Sequence, residues 1–217
     1  MLEWVTQGWQ HATVADARRV GAKTRIFQLK VQLREVRPPV WRRVLVPGEM
    51  DLAELHAVLQ TAMGWSNSHL HEFEVAGDRY GVPDPDWGDG VADESKVRVF
   101  RVASEGSRLG YLYDFGDGWE HDVTVEKVLD PQPGLRYPRC VAGRRACPPE
   151  DVGGPPGYQE FLAALGDPDH DEHEHWTEWT GGGFDPAAFD LDATDQALAE
   201  VAWVDSPGPR GPRDLGR

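Results

Sequence analysis

Three stretches of this chain alternate apolar and polar residues with a period of two. Phe27, Leu29, Val31 and Leu33 alternate with Gln28, Lys30, Gln32 and Arg34. Leu109, Tyr111, Tyr113 and Phe115 repeat the pattern, and Trp119, His121, Val123 and Val125 resume it after Gly116-Asp117-Gly118. Successive strand residues point to opposite faces, so each run predicts a half-buried strand with one wet face. The glycine-containing break makes 109–128 a β-hairpin. Further strands are expected at Trp41–Val46, ended by Pro47-Gly48, at His69–Val75, at Val97–Val102, and near Tyr137–Val141.

One helix is marked at both ends. Asp51 followed by Glu54 has the capping-box spacing, Leu52, Leu55, Val58, Leu59, Ala62 and Met63 recur at helical intervals, and Gly64 stops the run. Gly81–Asp93 is too rich in Pro, Gly and Asp for anything but loop. Helices are expected at Gly157–Leu165, Asp169–Trp179 and Asp192–Val204. Strands gather early and helices late, which predicts α+β: a single compact domain, its mostly antiparallel sheet drawn from the N-terminal two thirds and its helices concentrated in the C-terminal third. The domain is placed at 25–204, after a loosely ordered leader at 1–24 and before a disordered tail at 205–217.

Charge narrows the function classes. Lys and Arg number 22 against 37 Asp and Glu, a net charge of −15, which argues against a protein that coats phosphates. No run of about 18 apolar residues exists to cross a membrane, and Met1 to Gln10 lack the pattern of a signal peptide. With two cysteines, the expected compartment is the cytoplasm. Residues 146–209 contain fifteen acids and no Lys or Arg, whereas Arg18–Arg43 hold nine bases and one acid, Glu35. Such asymmetry marks either two regions that attract each other or a surface for a partner. The partner expected is a protein with a basic surface; nucleic acid is expected only through Arg18–Arg43.

Candidate chemistry lies in a few places. Tyr113-Asp-Phe-Gly-Asp-Gly-Trp-Glu-His121 sets two carboxylates and an imidazole around a turn, and Asp117, Trp119 and His121 would share a face if the strand begins at the turn. With Asp114 beside them, they suit a hard cation or an acid/base pair; otherwise Asp and Gly simply make the turn and Trp119 fills the core. Cys140 and Cys147, with six residues between them, are weak zinc candidates with His121, or else free thiols. Pro148-Pro-Glu-Asp151 followed by Gly153-Gly154 reads as a rigid loop presenting Glu150 and Asp151, or as a connector. His170, His173 and His175 lie in an acidic stretch without metal-pair spacing, and His69-x-His71 is a weak signal for two rings on one strand face. No cofactor is expected, with a divalent metal as the alternative. G-x-S-x-G, P-loop and G-x-G-x-x-G patterns are missing.

Taken in order, Gln28-Leu-Lys-Val-Gln-Leu, Pro38-Pro-Val-Trp-Arg-Arg-Val, Leu55-His through Met63-Gly-Trp, His69-Leu-His-Glu-Phe, Tyr113 to His121 and Cys147 to Gly154 resemble the plasmid pRiA4b ORF-three-like family over about Ile26–Ala199. The resemblance implies a compact α+β domain, often carried on plasmids or beside insertion sequences, and no particular activity. Some relatives bear a resolvase-like label, but an activated serine among arginines and a basic DNA-binding module cannot be assembled here. Relatives carry a Cys in a Glu-Asp-Cys-Gly-Gly version of the last motif; here that position is Val152, which weakens a zinc site. The functional expectation is a binding or accessory protein associated with a mobile element, its polar cleft formed by Asp114, Asp117, Trp119, His121, Glu150 and Asp151. The alternative is a metal-dependent hydrolase using the acids and imidazole of that cluster.

Overall fold

Hydrogen bonding of the alternating segments produces one eight-stranded sheet. The structure is a computed structural model and describes residues 25–83 and 90–201, so the expectations for 1–24 and 205–217 lie outside the described residues. The strands are β1 (Ile26–Leu33), β2 (Trp41–Pro47), β3 (His71–Val75), β4 (Asp78–Gly81), β5 (Ala92–Asp93), β6 (Arg108–Tyr113), β7 (Trp119–Leu129) and β8 (Arg139–Arg144). They lie in the order β5-β4-β3-β6-β7-β1-β2-β8, antiparallel throughout except for β4 with β5. The helices are α1 (Leu52–Met63), α2 (Val99–Val102), α3 (Gly154–Gly166), α4 (His173–Trp179) and α5 (Leu191–Glu200). This is the expected α+β domain.

The period-two residues face as their pattern requires, except Phe115, which lies past the end of β6 in the turn and is exposed. Leu29, Val31, Leu33, Val44, Leu109, Tyr111, Tyr113, Val123 and Val125 are buried in one continuous core. α1 supplies Leu52, Leu55, Val58 and Leu59 to it, all fully buried. Each such side chain stabilises by about 1.5–3 kcal/mol, against about 1 kcal/mol for the cap, so packing decides where α1 sits. The cap is complete: Asp51 accepts from the Glu54 amide, and Glu54 accepts from that of Asp51, both at 2.9 Å.

A polar ring, buried at His56, Gln60 and Tyr111 and open at Asn67, fastens α1 to the sheet. The Asn67 amide donates to Gln60 Oε1 (3.1 Å), and Gln60 Nε2 donates to the Tyr111 hydroxyl (2.9 Å). Tyr111 then meets His56 Nδ1 at 2.8 Å, and His56 Nε2 meets Asn67 Oδ1 at 2.7 Å. Because Asn67 Oδ1 only accepts, His56 carries its proton on Nε2 and receives the phenol at Nδ1. Every member is satisfied only when His56 is neutral, and burial lowers its pKa to about 4. His71, paired with Glu94 at 2.9 Å, stacks flat on the His56 imidazole with centroids 3.4 Å apart.

Two local expectations are corrected. Val97–Val102 forms no named strand: Val99 donates to Met50 O and Leu52 to Val97 O, a single bridge beside the α1 N-terminus, after which the chain turns into α2. The loop expected at Gly81–Asp93 gives up both ends to strands, Gly81 closing β4 and Ala92–Asp93 forming β5 beside it; β4, whose Asp78-Arg-Tyr-Gly sequence lacks an apolar period, exists because Ala76 and Gly77, both with positive φ (54° and 91°), make the two-residue hairpin turn that pairs it with β3.

Among the described residues, the basic N-terminal region and the acidic C-terminal region are not joined by ion pairs along the sheet. Arg25 pairs with Asp130, Arg34 with Asp122 and Glu120, and Arg43 with Glu126, so the acids of β7 and of Asp130 just beyond it neutralise these bases. The two regions meet instead through Arg42, which is buried. It donates to the carbonyls of Ala62, Trp41 and Arg144 and lies over the Phe189 ring at 4.2 Å. Among the described residues, one arginine pair crosses to the acidic region: Arg139 of β8 with Asp195 of α5, at 2.7 Å. Asp195 also accepts the Cys140 amide (2.9 Å), occupying a donor on the edge strand.

Candidate functional site

The turn between β6 and β7 and the loop before α3 come into direct contact. Asp114 leaves β6 with φ 58°, and its Oδ1 accepts from the amides of Gly116 (2.9 Å) and Asp117 (3.2 Å). Its own amide donates to Leu70 O, tying the turn to the approach to β3. Across the junction, the Gly153 amide donates to Asp117 Oδ2 (3.1 Å), where a carboxylate complements the start of α3. Gly154 lies so close to the Asp117 carbonyl that a Cβ there would stand 2.2 Å from the oxygen.

A second set of bonds stitches the loop to the segment after α1. Trp65 Nε1 donates to Pro148 O (2.9 Å), and the Ser66 amide and hydroxyl both donate to Glu150. Tyr113 donates to Glu150 Oε1 (2.7 Å) while accepting the Ser68 amide (3.0 Å). Burial opposes ionisation of Glu150, but the bonds from Ser66 and Tyr113 outweigh it and hold the carboxyl below its usual range. Burial and this carboxylate together push the Tyr113 phenol up to about 12. Glu150 therefore serves as a stitch, with its acceptor capacity largely spent.

The expected cleft residues thus divide into two groups. Asp114, Asp117, Glu150 and Asp151 are gathered at the junction. Trp119 and His121 are not with them. Both are essentially inaccessible, because β7 begins at Trp119 and turns residues 119, 121, 123 and 125 inward. Asp117 precedes that strand, so the period does not extend across the turn. His121 donates from Nδ1 to Tyr111 O (3.2 Å) and meets the Trp65 ring edge-on at 5.3 Å. Burial lowers its pKa to about 4, so it is a neutral core residue. Cys140 and Cys147 are free thiols. Burial raises both, Cys147 strongly, and neither they nor His121 belong to a metal-capable cluster among the described residues. The hydrolase ligand set expected from the sequence does not assemble as written.

The imidazole at the junction belongs to His69. Its Nε2 lies 3.1 Å from Asp151 Oδ1 and 3.6 Å from Asp114 Oδ2. The ring packs edge-on against Tyr113, centroids 5.8 Å apart. The His69-x-His71 spacing was the available signal, but it pointed to a shared strand face. In fact β3 begins at His71; His69 sits in the preceding connection, where the Leu70–Asp114 bond turns it toward the acids.

Residues 25–193 match the sequence profile of the plasmid pRiA4b ORF-3-like protein family. The chain belongs to that family. Its pRiA4b ORF-3-like relatives include the uncharacterized protein y4hQ of Sinorhizobium fredii, 44% identical over 180 residues that cover 82% of this chain and 92% of the relative. A crystal structure of a protein of unknown function, MM3350 from Methanosarcina mazei Go1, superposes with a TM-score of 0.73 at 38% identity, covering 78% of this chain and 97% of that one. The pRiA4b ORF-3-like fold is therefore shared, and neither relative brings an assigned activity.

Proposed function

We propose that this chain is a binding or accessory protein, working beside a mobile element, that takes a basic protein partner on its acidic helical side and in the adjoining cleft. The observation that carries this reading is where the negative charge goes. Residues 146–201 contain no Lys or Arg, and among the described residues of this span only Asp195 pairs with an arginine, while Asp151 faces His69. Asp169, Asp171, Glu174, Glu178, Asp192 and Glu200 are exposed. Arg25, Arg34 and Arg43, which might have neutralised them inside the molecule, pair with Asp130 and β7 instead. Charge left over in this way steers a complementary partner and repels nucleic acid. A hollow lined by Pro149, Glu150, Trp179 and Phe184 joins α4 to the cleft loop, so both features lie within one footprint.

The test uses the untagged full chain and a fluorescent arginine-rich peptide, with anisotropy followed from low to physiological ionic strength. Binding is expected at low salt, weakening as the Debye length shrinks to about 8 Å. Combined neutralisation by Asp169→Asn, Asp171→Asn, Glu174→Gln and Glu178→Gln should weaken it at least about tenfold, a loss of roughly 1.4 kcal/mol. Absence of binding at low salt, or equal binding by the neutralised chain, refutes the proposal.

A further inference from the structure

The buried ring nitrogen of His69 has no hydrogen-bond partner. Asp151 Oδ1 is 3.1 Å away, near enough for a bond, yet no hydrogen bond joins the two. His69 Nε2, Asp114 Oδ2 and Asp151 Oδ1 all fall within 4.8 Å of one another. They come from three separate parts of the chain: the approach to β3, the β6–β7 turn, and the loop before α3.

The spacings suit a shared ion. Two donors each about 2.1 Å from one cation stand roughly 3.0 Å apart at a right angle and roughly 3.4 Å apart at the tetrahedral angle. The nitrogen-to-oxygen distances here are 3.1 and 3.6 Å. Asp114 is already oriented as a ligand. Its side chain is 10% exposed, and two backbone amides hold Oδ1 while Oδ2 faces His69. Such outer bonds orient a ligand before the ion arrives. Asp151, with a side chain 71% exposed, gives the ion a way in and leaves coordination positions open to water or an anionic oxygen donor.

We propose that His69, Asp114 and Asp151 bind one divalent first-row transition ion of the zinc type. Imidazole nitrogen with two carboxylates selects such ions over magnesium or calcium, which prefer all-oxygen surroundings. Three protein ligands with an open side match the pattern of reactive rather than purely structural zinc sites. The inference deepens the cleft reading above but can fail separately, since contact with a basic partner through the acidic helices needs no cation.

Titration calorimetry on the untagged, chelator-treated full chain, with zinc chloride as the probe, tests it. One ion per chain is expected, with magnesium binding at least about a hundredfold weaker. His69→Gln and Asp151→Asn, the latter at an exposed side chain, should each weaken zinc at least about tenfold while circular dichroism stays unchanged. A chain carrying His170→Ala, His173→Ala and His175→Ala should keep full affinity, which separates this site from surface histidines. Cobalt should give visible d–d absorption that His69→Gln abolishes. A folded chain without stoichiometric zinc, zinc affinity unchanged in both ligand variants, or equal affinity for magnesium overturns the proposal. Arginine-peptide binding by the metal-free chain reports on the partner reading alone.

Discussion

Adjacent glycines allow the junction to be tested by a paired substitution. Gly153 and Gly154 both have positive φ, 90° and 69°, so alanine at either incurs the left-handed backbone cost of about 1–2 kcal/mol. Their surroundings differ. A Cβ on Gly153 would meet nothing nearer than Gly157 Cα at 3.5 Å, whereas one on Gly154 would stand 2.2 Å from the Asp117 carbonyl oxygen and 3.1 Å from its carbon. That obstacle is backbone in a turn pinned by Asp114, so the turn must retreat by about 1 Å, an overpacking cost of roughly 1–3 kcal/mol. Gly154→Ala should therefore destabilise by about 2–5 kcal/mol and Gly153→Ala by about 1–2 kcal/mol. Urea unfolding of the two variants, compared at equal m-values, measures the difference. Parity within about 0.5 kcal/mol would show that the β6–β7 turn is not seated on the α3 loop, and the cleft would lose its physical basis.

Three further outcomes follow from other contacts. Replacing Asp195 with Ala removes the Arg139 pair and the acceptor for the Cys140 amide, and should lower unfolding stability by about 1–3 kcal/mol, with faster amide exchange at Cys140. Glu150→Gln should weaken the stitch to Ser66 and Tyr113 by about 1–2 kcal/mol and bring the Tyr113 phenol, now pushed up to about 12, back toward its ordinary value in an ultraviolet titration. His121 is held near 4 by burial, below the ordinary value of 6.5, so the unfolded chain takes up its proton first. Its stabilisation is complete above pH 6.5 and is lost as pH falls toward 4, on the order of 3 kcal/mol in all. His56 loses stability over the same window, so His121→Gln should make the acid decline shallower without abolishing it; an unchanged decline would contradict the burial argument.

The architecture was readable where local signals coincide. β1, β2, β6 and β7 follow the two-residue period, and α1 carries the capping box at Asp51 and Glu54 and a stop at Gly64 with φ 96°. β4 and the bridge at Arg98 were not readable, because each depends on a partner strand rather than on its own pattern. In the candidate site, the expected cleft joined Asp114, Asp117, Glu150 and Asp151 with Trp119 and His121, and only the first four lie where the turn meets the loop. The imidazole was misassigned, since a period continued across Gly116-Asp117-Gly118 places Asp117 on the face of Trp119 and His121, whereas the strand itself begins at Trp119 and leaves Asp117 outside it.

By itself the amino-acid order determined which residues face oil and which face water, hence a mixed α and β chain with an open-faced sheet and an acidic C-terminal side. Those properties follow from side-chain spacing and net charge, which neighbours along the chain already define. Only the tertiary structure decided that Arg25, Arg34 and Arg43 answer to Asp130 and β7, that Glu150 is a fastener, and that His69 completes the cleft. Each of these depends on distances between segments far apart in sequence, set by strand order and by the docking of one glycine-lined loop against a turn.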